Sequence, residues 1–534
     1  MSDHTRTDDK TQPNAYDTGY EIGQDNVEVW GFDVHNPVFF VSAVIIVAFV
    51  AMALALPGGT KEFFENLRVG LTSNLDWLFI LAGDVFVVFA LYLIISPFGH
   101  IRLGGPDAKP EFSFSGWLAM LFAAGMGIGL MFFGVLEPVA HFQQPPLFVS
   151  PENVERARDT AMAATIYHWG LHPWAIYAVV GLSLAFFSYN RGLPLTIRSV
   201  FYPLLGDRVW GWPGHVIDIL AVFATLFGLA TSLGFGAEQA LAGMNYLFGI
   251  PATDVNKVIL IACITGMATL SVVAGLDAGV KRLSEINMVL AFGLMSFVIV
   301  AGPTAAIFTG FFDNLASYVW RIVPLSNPVG RDEAFLHSWT TFYWAWWISW
   351  SPFVGMFIAR VSRGRTVREF VICVLIVPTL VSVLWMTTFG GTALVQLIDS
   401  QYQGVAETVT TWQPELSLFK MLEPLPMSGV LSFLGIVLVI VFFVTSSDSG
   451  SLVIDTITSG GKMDPPVAQR IFWAVFEGLV AIALMLGGGL ATLQAAAIAT
   501  GFPFALVLLM MCGCLYAGLR AERQAIEAKA QESA

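Results

Sequence analysis

Apolar segments of about twenty residues recur along nearly the whole chain, and no other feature constrains its fold as strongly. A helix of that length spans the roughly 30 Å hydrocarbon layer of a bilayer, where every backbone amide must be hydrogen-bonded within the protein. Of the 534 residues, 56% are hydrophobic and 12% charged, a balance that no soluble core accommodates. The sequence therefore predicts an all-α polytopic membrane protein with twelve transmembrane helices, near residues 37–57, 76–97, 114–138, 160–187, 213–242, 256–276, 285–309, 337–360, 369–396, 428–447, 470–488 and 490–517.

Positively charged residues predict how these helices are oriented. Most of the 26 Lys and Arg residues fall on the cytoplasmic side if both termini lie in the cytoplasm, which is the bias typical of membrane proteins. The first 36 residues are polar and have no apolar signal-peptide core, so they predict an uncleaved cytoplasmic tail. The net charge of -13 comes largely from tails and loops, and we expect no nucleic-acid partner.

Three alternating glycines interrupt the third apolar span. Gly125, Gly127 and Gly129 lie in the run 114–133, where each costs about 1 kcal/mol of helix propensity relative to alanine. Broken backbone at membrane depth survives only where it is buried in protein or lines a wet cavity. The alternative is close helix packing, since Gly125 and Gly129 form a small-xxx-small pair. A second interruption, predicted over residues 346–355 around a Trp-Ser-Pro sequence, favours a helix break.

The placement of the two breaks predicts an internal repeat. Two spans precede the first break, five begin with it and five begin with the second, as in a five-plus-five inverted repeat. Two connecting segments, 61–71 and 310–323, mix aromatic and charged residues at helical spacing and predict helices lying in the membrane interface. The tail after Leu519 is short and helix-prone, and we expect it to be solvated.

Aromatic residues are dense in the middle of the fourth and eighth spans. Trp174 and Tyr177 share a helix face at i, i+3, and Trp346 and Trp350 share one at i, i+4. Aromatic faces bind onium groups, whose diffuse charge gains about 2 kcal/mol or more beside a desolvated ring. No Asp or Glu precedes Glu137 around either break, which favours a ligand that carries its own negative charge. Packing of the aromatic rings against one another is the alternative to an onium pocket.

Polar residues within the spans are less specific. Thr445 and Ser446 offer adjacent hydroxyl oxygens of the kind that bind Na⁺, or else they bond back to helix carbonyls. His168 and His172 have metal-ligand spacing, but no carboxylate or thiolate lies near them in the sequence, so we interpret them as packing against the aromatic residues. No nucleophile–base pair stands out, and no enzyme activity is expected. Four intramembrane acids are candidates either for gating and proton transfer or for structural hydrogen bonds, with no pairing predicted: Asp84, Asp218, Glu238 and Glu477.

Three segments resemble signature sequences of the betaine/choline/carnitine transporter family: GMGIGLMFFG (125–134), HWGLHPWAIY (168–177) and FYWAWWISWSPFVGMFIARVSRGRTVREF (342–370). The segment FFVTSSDSG (442–450) agrees with them, and the resemblance covers about residues 37–517. It implies twelve spans, a LeuT-like five-plus-five inverted repeat in helices 3–12, and homotrimers that import quaternary ammonium or related onium osmolytes.

The resemblance also implies binding residues, carried over motif by motif. The implied substrate-binding residues are Trp169, Trp174, Tyr177, Met126, Gly127, Gly129, Trp346, Trp347 and Trp350. The implied Na⁺ ligands, carbonyls of the first three and hydroxyls of the last two, are Ala123, Met126, Phe442, Thr445 and Ser446. A possible second Na⁺ site matches Thr225, near Phe353, but Leu229 replaces its second hydroxyl and leaves the number of ions open.

Gly129 refines the expected substrate. Choline carriers of the family resemble this chain but place an aspartate at this position, as a counter-charge for a cation without its own carboxylate. Gly129 therefore favours a zwitterion, either glycine betaine or dimethylsulfoniopropionate.

Carnitine exchangers of the family need no sodium and place a methionine side chain at the ion site, so Thr445 and Ser446 favour symport. The basic C-terminal helix linked to osmotic activation in some members is missing, and we expect no strong osmotic regulation.

We therefore expect an inner-membrane secondary transporter that imports a zwitterionic onium osmolyte with Na⁺ by alternating access, without any cofactor besides the coupling ion. The rival interpretations are a choline importer, a sodium-independent carnitine or betaine exchanger, a channel, and an osmolyte-binding membrane sensor. The expected organisation is a cytoplasmic tail (1–36), two preceding helices (37–113), a first inverted repeat (114–311), an amphipathic linking helix (312–336), a second inverted repeat (337–517) and a short cytoplasmic tail (518–534).

Overall fold

The chain folds into a bundle of α-helices with a small β-hairpin near its N terminus. The structure, a computed structural model, describes residues 16, 18–125, 127–274, 280–330 and 332–532. The hairpin pairs β1 (Asn26–Val29) with β2 (Phe32–His35) in antiparallel register. The helices of the first half are α1 (Val38–Ala55), α2 (Pro57–Ile95), α3 (Phe114–Gly125), α4 (Ile128–Gln143), α5 (Val154–Trp169), α6 (Leu171–Tyr189), α7 (Tyr202–Leu205), α8 (Trp212–Phe248), α9 (Asp254–Ala274) and α10 (Val280–Ala301). Those of the second half are α11 (Thr304–Ser326), α12 (Glu333–Phe335), α13 (Thr341–Val361), α14 (Val367–Ile398), α15 (Gly404–Thr410), α16 (Ser417–Leu422), α17 (Ser428–Thr458), α18 (Val467–Leu486) and α19 (Leu490–Glu532).

The helices confirm the all-α polytopic class. In the described part of the chain, ten helical segments are long and apolar enough to cross a membrane. They are eleven if α3 and α4, bent by 64° across the glycine break, form one broken span. The remaining predicted span, 337–360, corresponds to α13, which has 21 residues but a less apolar composition. The count of twelve and the inverted repeat stay predictions.

The centre of the bundle lies around α5, α6, α8 and α13. The most apolar window of the segment 154–189 is 94% buried inside the protein and that of α8 is 78% buried, against 28% for each of α9 and α10. Helix α13 packs against α6, α8 and α19. Protein rather than lipid covers most faces of these central helices, so they can carry the polar side chains that α5 contains.

A helix break that the sequence analysis missed divides the predicted span 160–187 at Gly170. Helix α5 ends at Trp169 and α6 begins at Leu171. Pro173 has no N–H group to donate to the carbonyl of Trp169, one turn earlier, and so favours the break. An added Cβ at Gly170 would lie 2.7 Å from the Ile166 carbonyl oxygen, which explains the glycine.

Side chains from other helices satisfy the backbone groups that this break releases. The indole N–H of Trp347, on α13, donates to the carbonyl of His168 at 2.9 Å. The hydroxyl of Tyr318, on α11, accepts from the amide of Leu171 at 3.0 Å. In a membrane every such group needs a partner inside the protein. The break is therefore held in place by α11 and α13.

The predicted interruption over residues 346–355 is wrong, because α13 is continuous through it. Pro352 cannot donate to the Ile348 carbonyl, the partner it would have in a regular helix. The hydroxyl of Ser351 donates to that carbonyl instead, at 2.7 Å. This hydrogen bond replaces the lost one, and the helix continues. The irregular backbone lies earlier, in a π-helical turn over Leu336–Thr340.

Both predicted interfacial segments lie within longer helices. Residues 61–71 do not form a separate helix but are the first part of the 39-residue helix α2. Residues 310–323 lie within α11, which begins before the predicted linking helix 312–336 and ends at Ser326. One face of α11 is buried, and its other face exposes large apolar side chains, among them Phe308, Phe312 and Trp320.

Residues 18–36, part of the tail predicted over residues 1–36, pack against the bundle, while residues 1–15 and 17 lie outside the described residues. The Asn26 amide donates to the carbonyl of Ser459 at 3.0 Å, and the Asp33 backbone N–H donates to the side chain of Gln469 at 2.9 Å. Lys462 forms an ion pair with Asp33. We call the end of the bundle formed by residues 18–36, 190–210 and 459–470 the terminal face, and the end formed by residues 144–153, 327–330, 332–335 and 399–427 the opposite face.

A buried arginine anchors the hairpin to the terminal face. The guanidinium of Arg198 has no exposure and donates to Tyr20 Oη at 2.7 Å and to His35 Nε2 at 3.1 Å. It also lies 3.3 Å from the carboxylate of Asp218. This network joins the N-terminal segment to α8.

The expectation of a solvated C-terminal tail is wrong at one residue. Glu522, near the end of α19, is 1% exposed and forms an ion pair with Arg191 at 3.2 Å. Since a buried charge requires a partner, this pair fixes the last turns of α19 against the loop that follows α6.

His35 should make the stability of the protein depend on pH. Burial and the neighbouring Arg198 guanidinium lower the pKa of His35 to about 3, against about 6.5 in an unfolded chain. Between these values the unfolded chain binds a proton that the folded protein excludes, so stability decreases as the pH falls below about 6.5. We expect the thermal unfolding temperature in detergent to drop more between about pH 7 and pH 5 in the wild type than in His35→Gln.

The exposed His100 offers a matched control for this measurement. His100→Gln should keep the wild-type pH dependence, because the His100 side chain is exposed and unfolding changes its surroundings little. An equal drop in the wild type and in His35→Gln would contradict the assignment.

Candidate functional site

The predicted substrate-binding residues meet in one cavity at the centre of the bundle. It is lined by α4 at the glycine break, by α5 and α6 at the Gly170 break, and by α13. Met126 lies outside the described residues. The other predicted residues all line the cavity: Gly127, Gly129, Trp169, Trp174, Tyr177, Trp346, Trp347 and Trp350. The structure therefore brings them together, while their role in binding stays a prediction.

Trp347 lies in the middle of the aromatic wall. Its ring centroid is 4.8 Å from that of Trp169, with the ring planes at 74°, and 4.8 Å from that of Trp346, with the planes at 16°. Tyr177 stands nearly perpendicular to Trp347 at 6.4 Å and edge-to-face on Trp174 at 5.3 Å. Rings in different orientations enclose a small volume from several sides, which is the geometry that an onium group requires.

Hydrogen bonds fix the orientation of these indoles. Besides the bond from Trp347 to the His168 carbonyl, the indole N–H of Trp350 donates to the Gly228 carbonyl at 2.9 Å. That of Trp346 lies within hydrogen-bond distance of Ser232 Oγ, at 3.2 Å. A buried indole N–H needs such a partner. Because the N–H edges are occupied, the apolar ring faces are what the cavity presents to a ligand.

Gly129 lets α4 approach the aromatic wall. A Cβ added at this residue would lie 2.7 Å from Trp169 Cη2 and 3.0 Å from Trp346 Cη2, closer than carbon atoms pack. Any side chain at position 129 therefore has to displace one of the two indoles. Gly127, the N-cap residue of α4, has no side chain to cap the helix, so the first amides of α4 line the cavity without a local acceptor.

A buried carboxylate holds the aromatic wall from behind, and the sequence analysis missed it. Glu137 has no exposure, and its Oε2 accepts hydrogen bonds from the indole of Trp169 at 2.8 Å and from the hydroxyl of Tyr343 at 2.5 Å. Its Oε1 lies 2.6 Å from His168 Nδ1 and 3.1 Å from His141 Nε2. Both oxygens are thus engaged by the protein. Glu137 follows Gly129 by eight residues, or about two helical turns on the same face, and this spacing was the available signal.

Each of the four intramembrane acids has a partner that the sequence did not predict. Asp84 lies 3.1 Å from His172 Nε2, and the ring of His172 stacks on Trp344. The other three pairs are Asp218 with Arg198 at 3.3 Å, Glu238 with Lys257 at 2.7 Å, and Glu477 with Ser447 at 2.9 Å. These contacts provide the structural hydrogen bonding that was the alternative to gating or proton transfer.

The hydroxyl at the predicted Na⁺ site makes hydrogen bonds within its own helix. Thr445 lies on α17 and donates to the carbonyls of Val441 at 3.0 Å and Phe442 at 3.2 Å. Thr445 and Ser446 are both half-buried, and Ala123 lies in α3, next to the glycine break. These bonds match the back-bonding alternative, and an ion would have to replace them. The Na⁺ assignment stays a prediction.

The possible second ion site has an apolar neighbour. The Thr225 hydroxyl donates to the carbonyl of Ala221 at 2.7 Å, and Phe353 packs edge-to-face on Trp350. Leu229 packs against Gly450, where an added Cβ would lie 2.2 Å from Leu229 Cδ1. The leucine therefore occupies space between α8 and α17 where a hydroxyl would have left room for an ion.

Comparisons with known proteins cover almost the whole chain. A family model described as betaine/carnitine/choline family transporter matches residues 37–524. A glycine betaine/proline/choline transporter of Vibrio parahaemolyticus is 58% identical over 529 residues, which are 95% of each chain. Glycine betaine transporter 1 of the same species is 56% identical over 515 residues, 95% of this chain and 98% of the relative. A glycine betaine transporter of Bacillus subtilis is 44% identical over 498 residues, 92% of this chain and 96% of the relative.

Replacing Glu137 by Gln should loosen the aromatic wall. The substitution keeps the shape of the side chain but removes the charge, and each hydrogen bond to a charged group contributes roughly 1.5–3 kcal/mol. We expect Glu137→Gln to lower the thermal unfolding temperature and to weaken the near-ultraviolet circular dichroism of the buried aromatic rings. The control is Glu111→Gln, because Glu111 forms an exposed ion pair with Arg363 and exposed pairs contribute little. Equal effects of the two substitutions would contradict this role of Glu137.

Proposed function

The chain belongs to the betaine/carnitine/choline family of transporters, as the resemblance predicted, and we propose that it couples the import of a zwitterionic onium osmolyte to Na⁺ by alternating access. It is a multi-pass membrane protein and a betaine/choline transporter of this family. The expectation that it is not an enzyme is confirmed, because the relatives are transporters. The candidate substrates are glycine betaine and dimethylsulfoniopropionate.

The aromatic wall around Trp347 is the single observation that carries the proposal. Trp169, Trp346 and Tyr177 surround it within one cavity. Hydrogen bonds hold the indole N–H groups of Trp169 and Trp346, and ring contacts hold all three ring planes. A methylated onium group has no N–H to donate and is held best by ring faces. The cavity therefore supports a quaternary ammonium or sulfonium ligand over a primary amine.

The charge of the cavity favours a zwitterion. Among the described residues that line it, none is acidic, and both oxygens of Glu137 are already engaged behind the wall. A ligand with its own carboxylate can direct that group to the N terminus of α4, where Gly127 and Gly129 leave the first amides accessible. Helix N termini bind anions through such amides and the helix dipole. The ligand's two charges then meet complementary parts of one cavity.

Coupling to Na⁺ rests on the hydroxyl pair on α17. Thr445 and Ser446 are half-buried and lie one helical turn beyond Phe442. Oxygen ligands of this kind suit Na⁺. We assign one ion to these residues, Ala123 and Met126. The second site would use Thr225 and Phe353, and the position of Leu229 beside Gly450 argues against it.

The membrane context completes the proposal. We place the protein in the bacterial inner membrane with both termini in the cytoplasm, so that the terminal face is cytoplasmic and the opposite face is external. We also propose that the protein forms homotrimers. In support, α11 exposes an apolar face with Phe312 and Trp320, to which a neighbouring protomer can bind. No cofactor is required besides the coupling ion.

Two other kinds of transporter are alternatives to this proposal, a choline importer and a sodium-independent exchanger. One relative is named as a transporter of glycine betaine, proline and choline. A choline importer would need a counter-charge in the cavity, and a sodium-independent exchanger would need no ion at Thr445. A membrane sensor would bind the osmolyte without moving it. Accumulation against a concentration gradient separates a coupled transporter from the sensor and from a channel.

Sodium should drive uptake of labelled glycine betaine into proteoliposomes. We expect accumulation with an inward Na⁺ gradient and none with an inward K⁺ gradient of equal size. Excess choline, carnitine and dimethylsulfoniopropionate, added in turn as competitors, identify the preferred substrate. Accumulation under neither gradient, with binding intact, would favour exchange or sensing and would overturn Na⁺ symport.

Thr445→Val tests the ion site within the same assay. Loss of one oxygen ligand should raise the Na⁺ concentration for half-maximal uptake by about tenfold, the equivalent of roughly 1.4 kcal/mol. Thr500 is the matched control, because it also bonds back to its own helix, through the Ala496 carbonyl, but lies away from the proposed ion site. Thr500→Val should behave as the wild type, and a similar shift in both variants would contradict the assignment.

Substitutions at Gly129 should separate the effects of shape and charge. Both Gly129→Ala and Gly129→Asp introduce a Cβ that displaces Trp169 or Trp346, so both should reduce glycine betaine uptake. Only the aspartate adds a counter-charge for a cation that lacks a carboxylate. We expect choline to compete for uptake relatively better in Gly129→Asp than in Gly129→Ala. If choline competes for glycine betaine uptake equally well in the two variants, the charge at position 129 does not select the substrate, and this result would contradict a zwitterionic preference set by Gly129.

A further inference from the structure

Three potential metal ligands meet between α4 and α5, behind the aromatic wall and toward the opposite face. They are Glu137 Oε1, His141 Nε2 and His168 Nδ1, and all three atoms lie within 4.8 Å of one another. The side chains of all three residues are 0–1% exposed. Two imidazoles and a carboxylate form a typical set of protein ligands for Zn²⁺ and related ions.

The geometry needs little change to accept an ion. Ligand atoms about 2.0–2.2 Å from a tetrahedral Zn²⁺ lie about 3.3 Å from one another. Glu137 Oε1 is already 3.1 Å from His141 Nε2 and 2.6 Å from His168 Nδ1. The third pair, His141 Nε2 and His168 Nδ1, lies within 4.8 Å, so an ion requires His168 to move away from Glu137 and toward His141.

Neighbouring groups orient these ligands as they do in known metal sites. The second ring nitrogen of His168 lies 2.9 Å from Thr340 Oγ1, and the second oxygen of Glu137 accepts from Trp169 and Tyr343. Such outer contacts fix the rotation of each ligand and hold the coordinating atom in place. The set is therefore pre-organised rather than incidental.

The charge of the cluster also calls for a cation. In the described part of the chain, the groups that contact the Glu137 carboxylate are two imidazoles, an indole and a phenol, and none of them belongs to Lys or Arg. A fully buried carboxylate is costly unless a cation compensates its charge, and here that cation is either a proton on His168 or His141 or a bound metal ion. A divalent ion held by Glu137, His141 and His168 supplies that charge.

A route to the cluster exists from the opposite face. Phe335 covers the two imidazoles, stacking on His168 at 5.3 Å and standing edge-on to His141 at 5.2 Å. On its other side, Phe335 lines a cavity of about 190 Å³, together with the exposed residues Phe148 and Val329. Phe335 directly precedes the π-helical turn of Leu336–Thr340, and such turns are common at functional sites. Phe335 therefore separates the cluster from this cavity, and rotation of its ring is the route that the proposal assigns to an incoming ion.

We propose that Glu137, His141 and His168 form a binding site for a divalent transition-metal ion of the Zn²⁺ class. An ion there joins α4 to α5 directly. It also reaches α13 through Thr340 and Tyr343. Binding therefore tightens three helices around the aromatic wall, and this inference holds whichever osmolyte the protein transports.

Titration calorimetry with Zn²⁺ tests the site on the full-length protein, purified without a polyhistidine tag and freed of metal by a chelator. We expect one ion per chain with micromolar affinity, accompanied by a rise in the thermal unfolding temperature. His141→Gln should weaken binding by at least about tenfold. His141 is the residue to change because it contacts neither Trp169 nor Tyr343 in the described contacts.

His337→Gln is the matched control, because His337 lies 2.9 Å from the carboxylate of Asp76 and so forms a histidine–carboxylate pair outside the proposed site. This variant should bind Zn²⁺ as the wild type does. No stoichiometric binding to the wild type, or binding that is lost in His337→Gln but retained in His141→Gln, would overturn the proposal.

Co²⁺ gives a second readout that does not depend on any variant folding. Tetrahedral coordination by two imidazoles and a carboxylate should produce intense visible absorption bands when Co²⁺ is added to the wild type, and one equivalent of Zn²⁺ should remove them. Only the weak bands of octahedral Co²⁺ would contradict a site built from these three ligands.

Discussion

A carboxylate without access to solvent holds the central cavity together. One oxygen of Glu137 accepts hydrogen bonds from Trp169 and Tyr343, and the other lies within hydrogen-bond distance of His141 and His168. Glu137 therefore joins α4, α5 and α13 in one network. Because a buried charge must be satisfied, moving one member of this network leaves another unpaired unless a bound group takes its place. The rigidity of the aromatic wall therefore comes from an acid that does not line the cavity.

The second constraint is the backbone. A membrane protein can break a helix only where other groups satisfy the released amides and carbonyls. At Gly170 these groups are Trp347 and Tyr318, so the break exists because α13 and α11 support it. In α13 the hydroxyl of Ser351 satisfies the carbonyl that Pro352 leaves free, so the helix stays whole. The same rule thus explains both a break and a continuous helix at a proline.

The sequence predicted the helical class and the cavity residues, because span length, aromatic spacing and family motifs are local signals. It missed the role of Glu137, whose partners lie 31 residues away at His168 and 206 residues away at Tyr343. It also predicted a break over residues 346–355, since a back-bonding serine cannot be distinguished from an ordinary one by sequence. Local sequence patterns therefore predict the helices, whereas contacts between distant residues determine where a helix breaks.

In the proposed transport cycle, α4 contributes to both ends of the substrate site. Its N terminus offers amides to the carboxylate of the substrate, while Glu137, two turns later, orients Trp169 at the onium end. If the substrate is a zwitterion, as proposed, one helix acts on both of its charges, and Gly129 between the two sites keeps the indoles in contact with α4. A movement of α4 relative to α5 and α13 would then change the onium end and the carboxylate end of the site together, which is one way in which a central site can open during alternating access.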